Sequence, residues 1–318
     1  MFHNGIRSPA LYFDRVSVML PASTTNTGRA YIARMYHITK TLAIAISKLS
    51  PGAVDRLARG LAFMVFDLLR IRRALVLHNL KIAFGNEKRH EERLRIGRTS
   101  VYHVMLTFIE LLRSVRVDIH GKTTCRGLEH IQAVLKEGKG AYFLAGHLGN
   151  WEAMGSAGTR FLGTPAWSIV KKIKQPGVNR FVEEIRHGNG LYTIHRDPPG
   201  QALRAIRDTL RKNQTVGFML DQARPGAPRI PFFGTPAKTQ TSLAAIWRKH
   251  PAPVVPISIR RTGVERHEIR VRPPLPLQRT GDSKKDTHEN TALFNRVLEE
   301  MIRECPDQYF WMHDRWKE

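Results

Sequence analysis

The stretch "GAYFLAGHLGNWEA" sets His147 and Glu152 five positions apart, with a glycine and an asparagine between them. A histidine beside a carboxylate can act as a general base. The carboxylate holds one ring nitrogen, fixes the tautomer and raises its basicity, while the other nitrogen takes a proton from a hydroxyl. The same two residues also fit a satisfied loop histidine and a helix-capping glutamate. On a regular α-helix, residues five apart point roughly 140° away from each other, so one helix face cannot carry both. The flanking residues suggest another layout. "AYFLA" is a short apolar run of the buried-strand type. Gly146 and Gly149 permit a tight turn, and Asn150 is a good N-cap for a helix opening at Trp151 and Glu152. His147 then sits at the C-terminal end of a buried parallel strand, where open α/β sheets bind ligands. Glu152 lies in a first helical turn, where the helix dipole favours its ionised form. In that layout the two side chains can meet.

Other chemistries find little support. "HEIRV" and "HENTA" both lack the second histidine of a zinc-protease helix, so no metal is expected. Neither a phosphate-binding G-x-x-x-x-G-K-[ST] loop nor a G-x-S-x-G elbow occurs. A base without a protein nucleophile points to direct attack by a substrate hydroxyl.

The remaining apolar runs place this turn in a larger pattern. "WSIV" (167–170), "LYTI" (191–194), "TVGFML" (215–220) and "PVVPISI" (253–259) read as buried strands. Helical stretches lie between them at 150–162, 176–187, 200–212 and 239–250. Such alternation implies βαβ units and a largely parallel central sheet flanked by helices. "HEIRVRPPLPL" reads as an edge strand because of its prolines, and 287–305 as a C-terminal helix. Upstream, 87–116 is helical, with Val104, Phe108, Leu111 and Leu112 on one side. Residues 31–84 read as two helices split by "SPG", with Ser50 as N-cap and Pro51 at the first helical position. The second carries Leu57, Leu61, Met64, Val65 and Leu68 at helical spacing, flanked by Arg56, Arg59, Arg70, Arg72 and Arg73. A basic amphipathic helix of this kind either lies on a membrane surface or packs on the core, and both readings stand. Residues 1–30 read as a loose extension, with Met19 or Met35 as an alternative start. The expected division is thus an extension (1–30), basic amphipathic membrane-associating helices (31–84) and one α/β domain (85–318).

Charge narrows the partners. The 318-residue chain carries 51 Lys+Arg against 27 Asp+Glu, a formal net charge of +24. Nucleic acid, an anionic membrane, or an acidic protein or phosphorylated substrate would each suit such a surface. No signature of a nucleic-acid-binding module appears, and aromatic residues are not interleaved with the basic stretch as a stacking platform requires. Cys125 and Cys305 are far apart and form no C-x-x-C, which argues against a disulfide framework or zinc ribbon and for a reducing setting. No run of 18 or more apolar residues occurs, and "LYFDRVSVML" has no uninterrupted signal-like core.

Four blocks in order resemble the bacterial lipid A late acyltransferases, the lauroyl/myristoyl transferases of the glycerolipid acyltransferase superfamily. "HLGNWE" matches their H-x4-[DE] motif. "LHNLKIAFG" (77–85) resembles N-L-x-x-x-F-P, with Gly85 in place of proline. "DQARPGAPRIPFFGTPAKT" (221–239) resembles the D-Q and P-F-F-G block, with Ala223 where a second acid is common. "CPDQYFWMHDRWK" (305–317) resembles the P-E-Q-Y-x-W-x-H-x-R terminus, with Asp307 for glutamate. The resemblance implies transfer of a fatty acyl group from an acyl carrier protein or coenzyme A thioester to a hydroxyl of an anionic glycolipid. No cofactor is needed beyond the thioester co-substrate. His147 would be the base and Glu152 its orienting partner, with Arg186 orienting a substrate phosphate.

Candidates for substrate contact are Asn150, Lys171, Asp221, Gln222, Phe232, Phe233 and Gly234. Asp221 either orients substrate or an active-site arginine, or starts a turn. Phe232 and Phe233 either line an acyl groove or are core. Backbone N–H groups of the PFFG turn or the Gly149–Asn150 turn are candidate oxyanion donors. Trp311, His313 and Arg315 alternate as on a strand and would share one face. Most other cations between Lys171 and Lys212, taken singly, read as solvated surface. The expected setting is the cytoplasmic face of the inner membrane, held peripherally or monotopically, as a monomer without a nucleic-acid partner. A different glycolipid or an aminolipid remains an alternative acceptor.

Overall fold

A computed structural model describes residues 26–317 except residue 197. Most of the 1–30 extension, Met19 included, lies outside the described residues, whereas Met35 falls inside a helix. The centre is a seven-stranded sheet in the order β1-β9-β8-β2-β5-β3-β4. Its strands are β1 (Thr123–Arg126), β2 (Ala141–Ala145), β3 (Ala166–Val170), β4 (Leu191–His195), β5 (Thr215–Met219), β8 (Val254–Gly263) and β9 (Arg266–Val271). Every neighbouring pair is parallel except β8 and β9, so the expected largely parallel α/β sheet is present. A separate hairpin, β6 (Arg229–Phe232) and β7 (Thr235–Lys238), completes the strands.

Strand β2 shows why the sheet is central. All five of its residues are buried. Tyr142 and Leu144 enter one core with Val216, Phe218, Val254 and Leu298. Ala141, Phe143 and Ala145 enter the other with Ile131, Ala153, Ala157 and Ile257. Alternate residues feed opposite faces, as the pleat requires, so the strand is apolar throughout. Helices on both faces are α5 (Leu128–Lys136), α6 (Trp151–Leu162), α7 (Pro176–Gly188), α8 (Pro199–Arg211), α9 (Ser242–Lys249) and α10 (Ser283–Glu304).

The "HEIRV" strand is not at the edge: β9 lies between β8 and β1, and β1 closes that side. Its prolines follow Val271, and the N–H groups that still donate to β8 there are those of Arg272, to the Pro256 carbonyl at 3.0 Å, and Leu275, to the Val254 carbonyl at 2.8 Å. The "WMHDR" segment forms turns and not a strand, although Trp311 and Arg315 are both buried.

The N-terminal region contains three helices, α1 (Asn26–Ser47), α2 (Pro51–Ala62) and α3 (Arg73–Phe84), followed by α4 (His90–Arg113). Ser50 caps α2 as expected, accepting from the Ala53 N–H at 3.3 Å. The expected single helix to residue 84 is instead interrupted by a π-helical turn (Phe63–Leu68) and by Arg70 and Arg72 at φ 52° and 56°. No glycine or proline marks this break. Tertiary contacts hold it, including Arg72 Nη1 donating to the Met312 carbonyl at 3.0 Å. The apolar face also sorts differently from expectation. Small or i+4-spaced residues Val54, Ala58, Ala62 and Phe66 are buried, while Leu57, Met64 and Leu68 are exposed. Phe66, Val76 and Leu80 belong to the same core as the sheet.

Candidate active site

The strand register brings the first pair of site residues together. Strands β2 and β5 are parallel neighbours with Ala145 opposite Met219. His147 and Asp221 each follow their strand by the same two residues, so they emerge side by side. Asp221 then grips His147 twice. One carboxylate oxygen accepts the backbone N–H of His147 at 2.7 Å, and the other meets ring Nδ1 at 2.7 Å. Burial pushes the Asp221 pKa up, but the His147 charge and these hydrogen bonds outweigh it and hold the carboxyl below its ordinary value. An ionised carboxylate at Nδ1 requires a proton on Nδ1, which leaves Nε2 as the acceptor. Burial would lower the His147 pKa, but the Asp221 charge and hydrogen bond, with a smaller contribution from Glu152, raise it above the usual imidazole value.

His147 lines a cavity of about 500 Å³ together with Trp151, Glu152, Lys171, Arg186 and Gln222. The Gln222 amide nitrogen is 3.4 Å from Nε2. Much of the rest of the wall is apolar, including Ile169, Leu203, Ile206, Phe218 and Ile246. Trp151 packs edge-on to the imidazole at 5.3 Å between ring centres.

Glu152 opens α6 under the Asn150 cap, as expected, but its carboxylate does not hold the histidine. It forms a two-pronged pair with Arg186, Nε to Oε2 at 3.0 Å and Nη2 to Oε1 at 2.8 Å. The orienting carboxylate of His147 is therefore Asp221. The reason is geometric: a first-turn glutamate points along α6 towards α7, where Arg186 lies, while the neighbouring strand end supplies the nearer acid. Arg186, expected to meet a phosphate, is engaged by Glu152, and both side chains are mostly buried, at 15% and 12% exposure.

The other expected contacts divide. Lys171 and Gln222 line the cavity. Asn150 instead faces a small void of about 10 Å³ behind the pair, and its side chain is spent on the cap and on Glu110. Phe232 and Phe233 are core, stacked against Trp316 and Trp311, and Gly234 completes the β6–β7 turn at φ 71°. None of these three lines the cavity, because the PFFG segment forms a hairpin whose rings turn inward. The Gly149 N–H is used by the Gln308 carbonyl at 3.0 Å, and the His147 N–H by Asp221, so neither is free as an oxyanion donor.

Contacts not foreseen buttress the turn. Gly149 takes φ 57°, and a Cβ there would come 2.2 Å from the Ile259 carbonyl oxygen. Leu148 bridges to Tyr309, and Phe310 N–H donates to the His147 carbonyl at 3.0 Å. The C-terminal block thus zips along "HLG", which gives it a readable role. His313 Nε2 accepts the Ala223 N–H at 2.8 Å, and burial keeps the His313 pKa below its ordinary value, as a neutral acceptor requires. Below the turn, buried Glu110 accepts from Asn150 at 2.6 Å, from the Glu265 N–H at 2.8 Å and from Arg261. Burial pushes its pKa up, but Arg261 and His267 bring it down to about 2. The signal for this hub was a lone acid in the apolar stretch "MLTFIELL". Glu110→Ala would leave Arg261 buried without its partner. The expected cost is about 3–5 kcal/mol, read by urea unfolding.

Among the described residues, no group of three or more His, Cys, Asp or Glu is arranged to hold a metal ion. The arrangement is suited to removing a proton from a hydroxyl at the edge of an apolar chamber.

Comparison with known proteins gives the family. The family described as bacterial lipid A biosynthesis acyltransferase matches residues 28–318. A lipid A biosynthesis acyltransferase of Haemophilus influenzae is 23% identical over 274 residues, covering 81% of this chain and 80% of that protein. A lipid A biosynthesis palmitoleoyltransferase of Escherichia coli is 27% identical over 119 residues, covering 36% of this chain and 37% of that protein. With nearly its whole length matched, and with a hydrogen-bonded acid–histidine pair at the ends of two neighbouring strands, the chain belongs to the bacterial lipid A biosynthesis acyltransferase family and is an acyltransferase.

Proposed function

We propose that the protein moves a fatty acyl group from an acyl thioester, carried on acyl carrier protein or coenzyme A, to a hydroxyl of a lipid A precursor. The observation that carries this reading is His147, held at Nδ1 by Asp221 at 2.7 Å on the wall of a cavity of about 500 Å³. The acceptor O–H gives its proton to Nε2 as its oxygen attacks the thioester carbonyl. The tetrahedral oxyanion collapses, the C–S bond breaks, and the departing thiolate takes the proton from Nε2, leaving as the thiol and returning His147 to its neutral form. A thiol is a good leaving group, so no covalent relay through the protein is required. The Gln222 amide, beside Nε2, is the donor we assign to the oxyanion. The Glu152–Arg186 pair stiffens the wall between α6 and α7. The apolar wall suits the acyl chain.

We further propose docking on the cytoplasmic face of the inner membrane through the α2 end and π-turn. There Phe63 is 60% and Leu68 66% exposed, and Leu69 and Ile71 join them beside Arg70, Arg72 and Arg73. Apolar side chains ringed by arginines suit an anionic interface. No helix among the described residues is long and apolar enough to cross a membrane, which accords with peripheral attachment. The triple substitution Phe63→Ser, Leu68→Ser, Leu69→Ser is expected to lower binding to vesicles containing anionic lipid on the order of ten- to a hundredfold. Vesicle sedimentation checks this, with unchanged thermal unfolding as the control.

The reaction itself is tested by incubating the purified protein with an acyl-carrier thioester and a lipid A precursor. An acceptor heavier by one acyl group is the expected product by mass spectrometry. Acyl transfer to an aminolipid alone would replace the lipid A assignment.

A further inference from the structure

Strand β3 lies inside the sheet, between β5 and β4, yet only the first of its five residues is buried. An inner strand is normally covered on both faces, so half-burial there marks hollow space. That space belongs to the cavity at His147, which Ser168, Ile169 and Val170 of β3 all line. The lining runs from the strand ends, where His147 stands, down to Leu191, the first residue of β4. The ladder sets Leu191 opposite Ala166, and Ala166 opposite Thr215. Thr215 precedes Asp221 by six residues, about 20 Å along a strand. Helix α6 closes the lower end: a Cβ on its Gly155 would come 2.7 Å from a methyl carbon of Leu191.

Gly217 stands part-way down, four residues before Asp221 and so about 13 Å below it along β5. It lies opposite Phe143 of β2 and Ser168 of β3. Phe143 and Met219 pack on the α6 side of the sheet with Ala153 and Ala157. By the alternation of the pleat, a side chain at position 217 would point there too, between Ser168 and Met219, which both line the cavity. Gly217 is half-buried although β5 is an inner strand. Its chain neighbours apart, a Cβ there would meet only the Trp167 carbonyl oxygen within 4 Å among the described residues, at 3.5 Å. Its φ is not positive, so the backbone does not demand glycine. A glycine inside a strand weakens it and often marks a place where a ligand passes close to the backbone. Glu152 and Arg186 line the same side of the cavity and neutralise each other.

We infer that Gly217 sets the length of the acyl chain that the protein transfers. With the thioester carbonyl at His147, the tail runs between α6 and the sheet, crosses β5 over Gly217 and ends against Leu191. Any side chain at position 217 would stand in that path and shorten it. The inference rests on the acyl-transfer reading, and the test keeps the two apart.

Gly217→Ala and Gly217→Val are compared with wild type on acyl-carrier thioesters from octanoyl to palmitoyl, with a lipid A precursor as acceptor. The reading is kcat/KM for each chain length. Valine suits a strand better than glycine, so unfolding midpoints at or above wild type are expected. Misfit of a single methylene in an apolar pocket is worth about tenfold or more. In Gly217→Val the longest chain that wild type accepts should therefore lose at least about tenfold in kcat/KM relative to the shortest. Gly217→Ala should fall between valine and wild type, and it carries the same test if valine does not fold. The preferred chain becomes shorter in both. A preference that stays in place in the folded variants, or an equal loss at every chain length, overturns the role of Gly217 while the wild-type reaction stands. A wild-type protein that acylates no acceptor overturns the acyl-transfer reading instead.

Discussion

His147→Ala is expected to lower kcat for acyl transfer by about 10²–10⁴-fold, the range a positioned general base supplies, with little change in KM. The ring is held by Asp221 and touched by Trp151 and Phe310, and among the described residues it leans on no other charged group within hydrogen-bond reach. Its removal opens space at a cavity wall that is already hollow, so the unfolding midpoint should shift little. The check is single-turnover acyl transfer beside a denaturation curve. Near-wild-type turnover in a folded variant would remove His147 from the chemistry.

Asp221→Asn is the second large effect. Both carboxylate oxygens accept from His147, one from the backbone and one from the ring. Asparagine offers one acceptor oxygen and one NH₂ group. If its oxygen keeps the backbone N–H, its NH₂ faces Nδ1. Nδ1 must then accept, and the proton moves to Nε2, the nitrogen that should be vacant. If the amide turns the other way, the backbone bond is lost and the turn loosens. Either outcome impairs the base, and a rate loss on the order of 10²–10⁴-fold is expected, as for other bases held in the wrong tautomer. Single-turnover rates with folded protein measure it. Glu152→Gln should cost less in chemistry, because Glu152 reaches the histidine through its charge and not through a bond.

The difference between these two acids marks where the sequence could and could not be read. Local pattern sufficed for the turn itself: the apolar strand, the glycine at positive φ, the Asn150 cap and Glu152 in the first helical turn all follow from short-range chemistry. Which acid meets His147 depends on strand pairing, a long-range fact. "AYFLA" and "TVGFM" begin 74 residues apart in the chain, as do His147 and Asp221, and the parallel register of β2 and β5 preserves that spacing. Once the two strands are known to be neighbours, the pairing is arithmetic; without that, a nearby glutamate looks like the better partner. The same limit left Phe232 and Phe233 open between two readings. An apolar "PFF" fits a groove or a core, and only the hairpin turned at Gly234 sends both rings inward against Trp316 and Trp311. The exposed residues after α2 show the reverse case. The helical period was legible, but which face meets the core was decided by close packing: Gly97 of α4 sits so near Phe66 and Val76 that a Cβ there would crowd both side chains.

The pH dependence of kcat/KM tests the central claim most directly. The base must be neutral to accept a proton, so activity rises as pH climbs through the His147 pKa. Burial lowers that pKa, but Asp221 and, less strongly, Glu152 raise it above the ordinary 6.5. The acidic limb of the wild-type profile is therefore predicted to lie above 6.5. Removing the Asp221 charge leaves burial to dominate, so Asp221→Asn should move the limb to lower pH along with the fall in rate. Glu152→Gln should move it much less. A limb that stays in place in Asp221→Asn but moves down in Glu152→Gln would contradict the account and return the orienting role to Glu152.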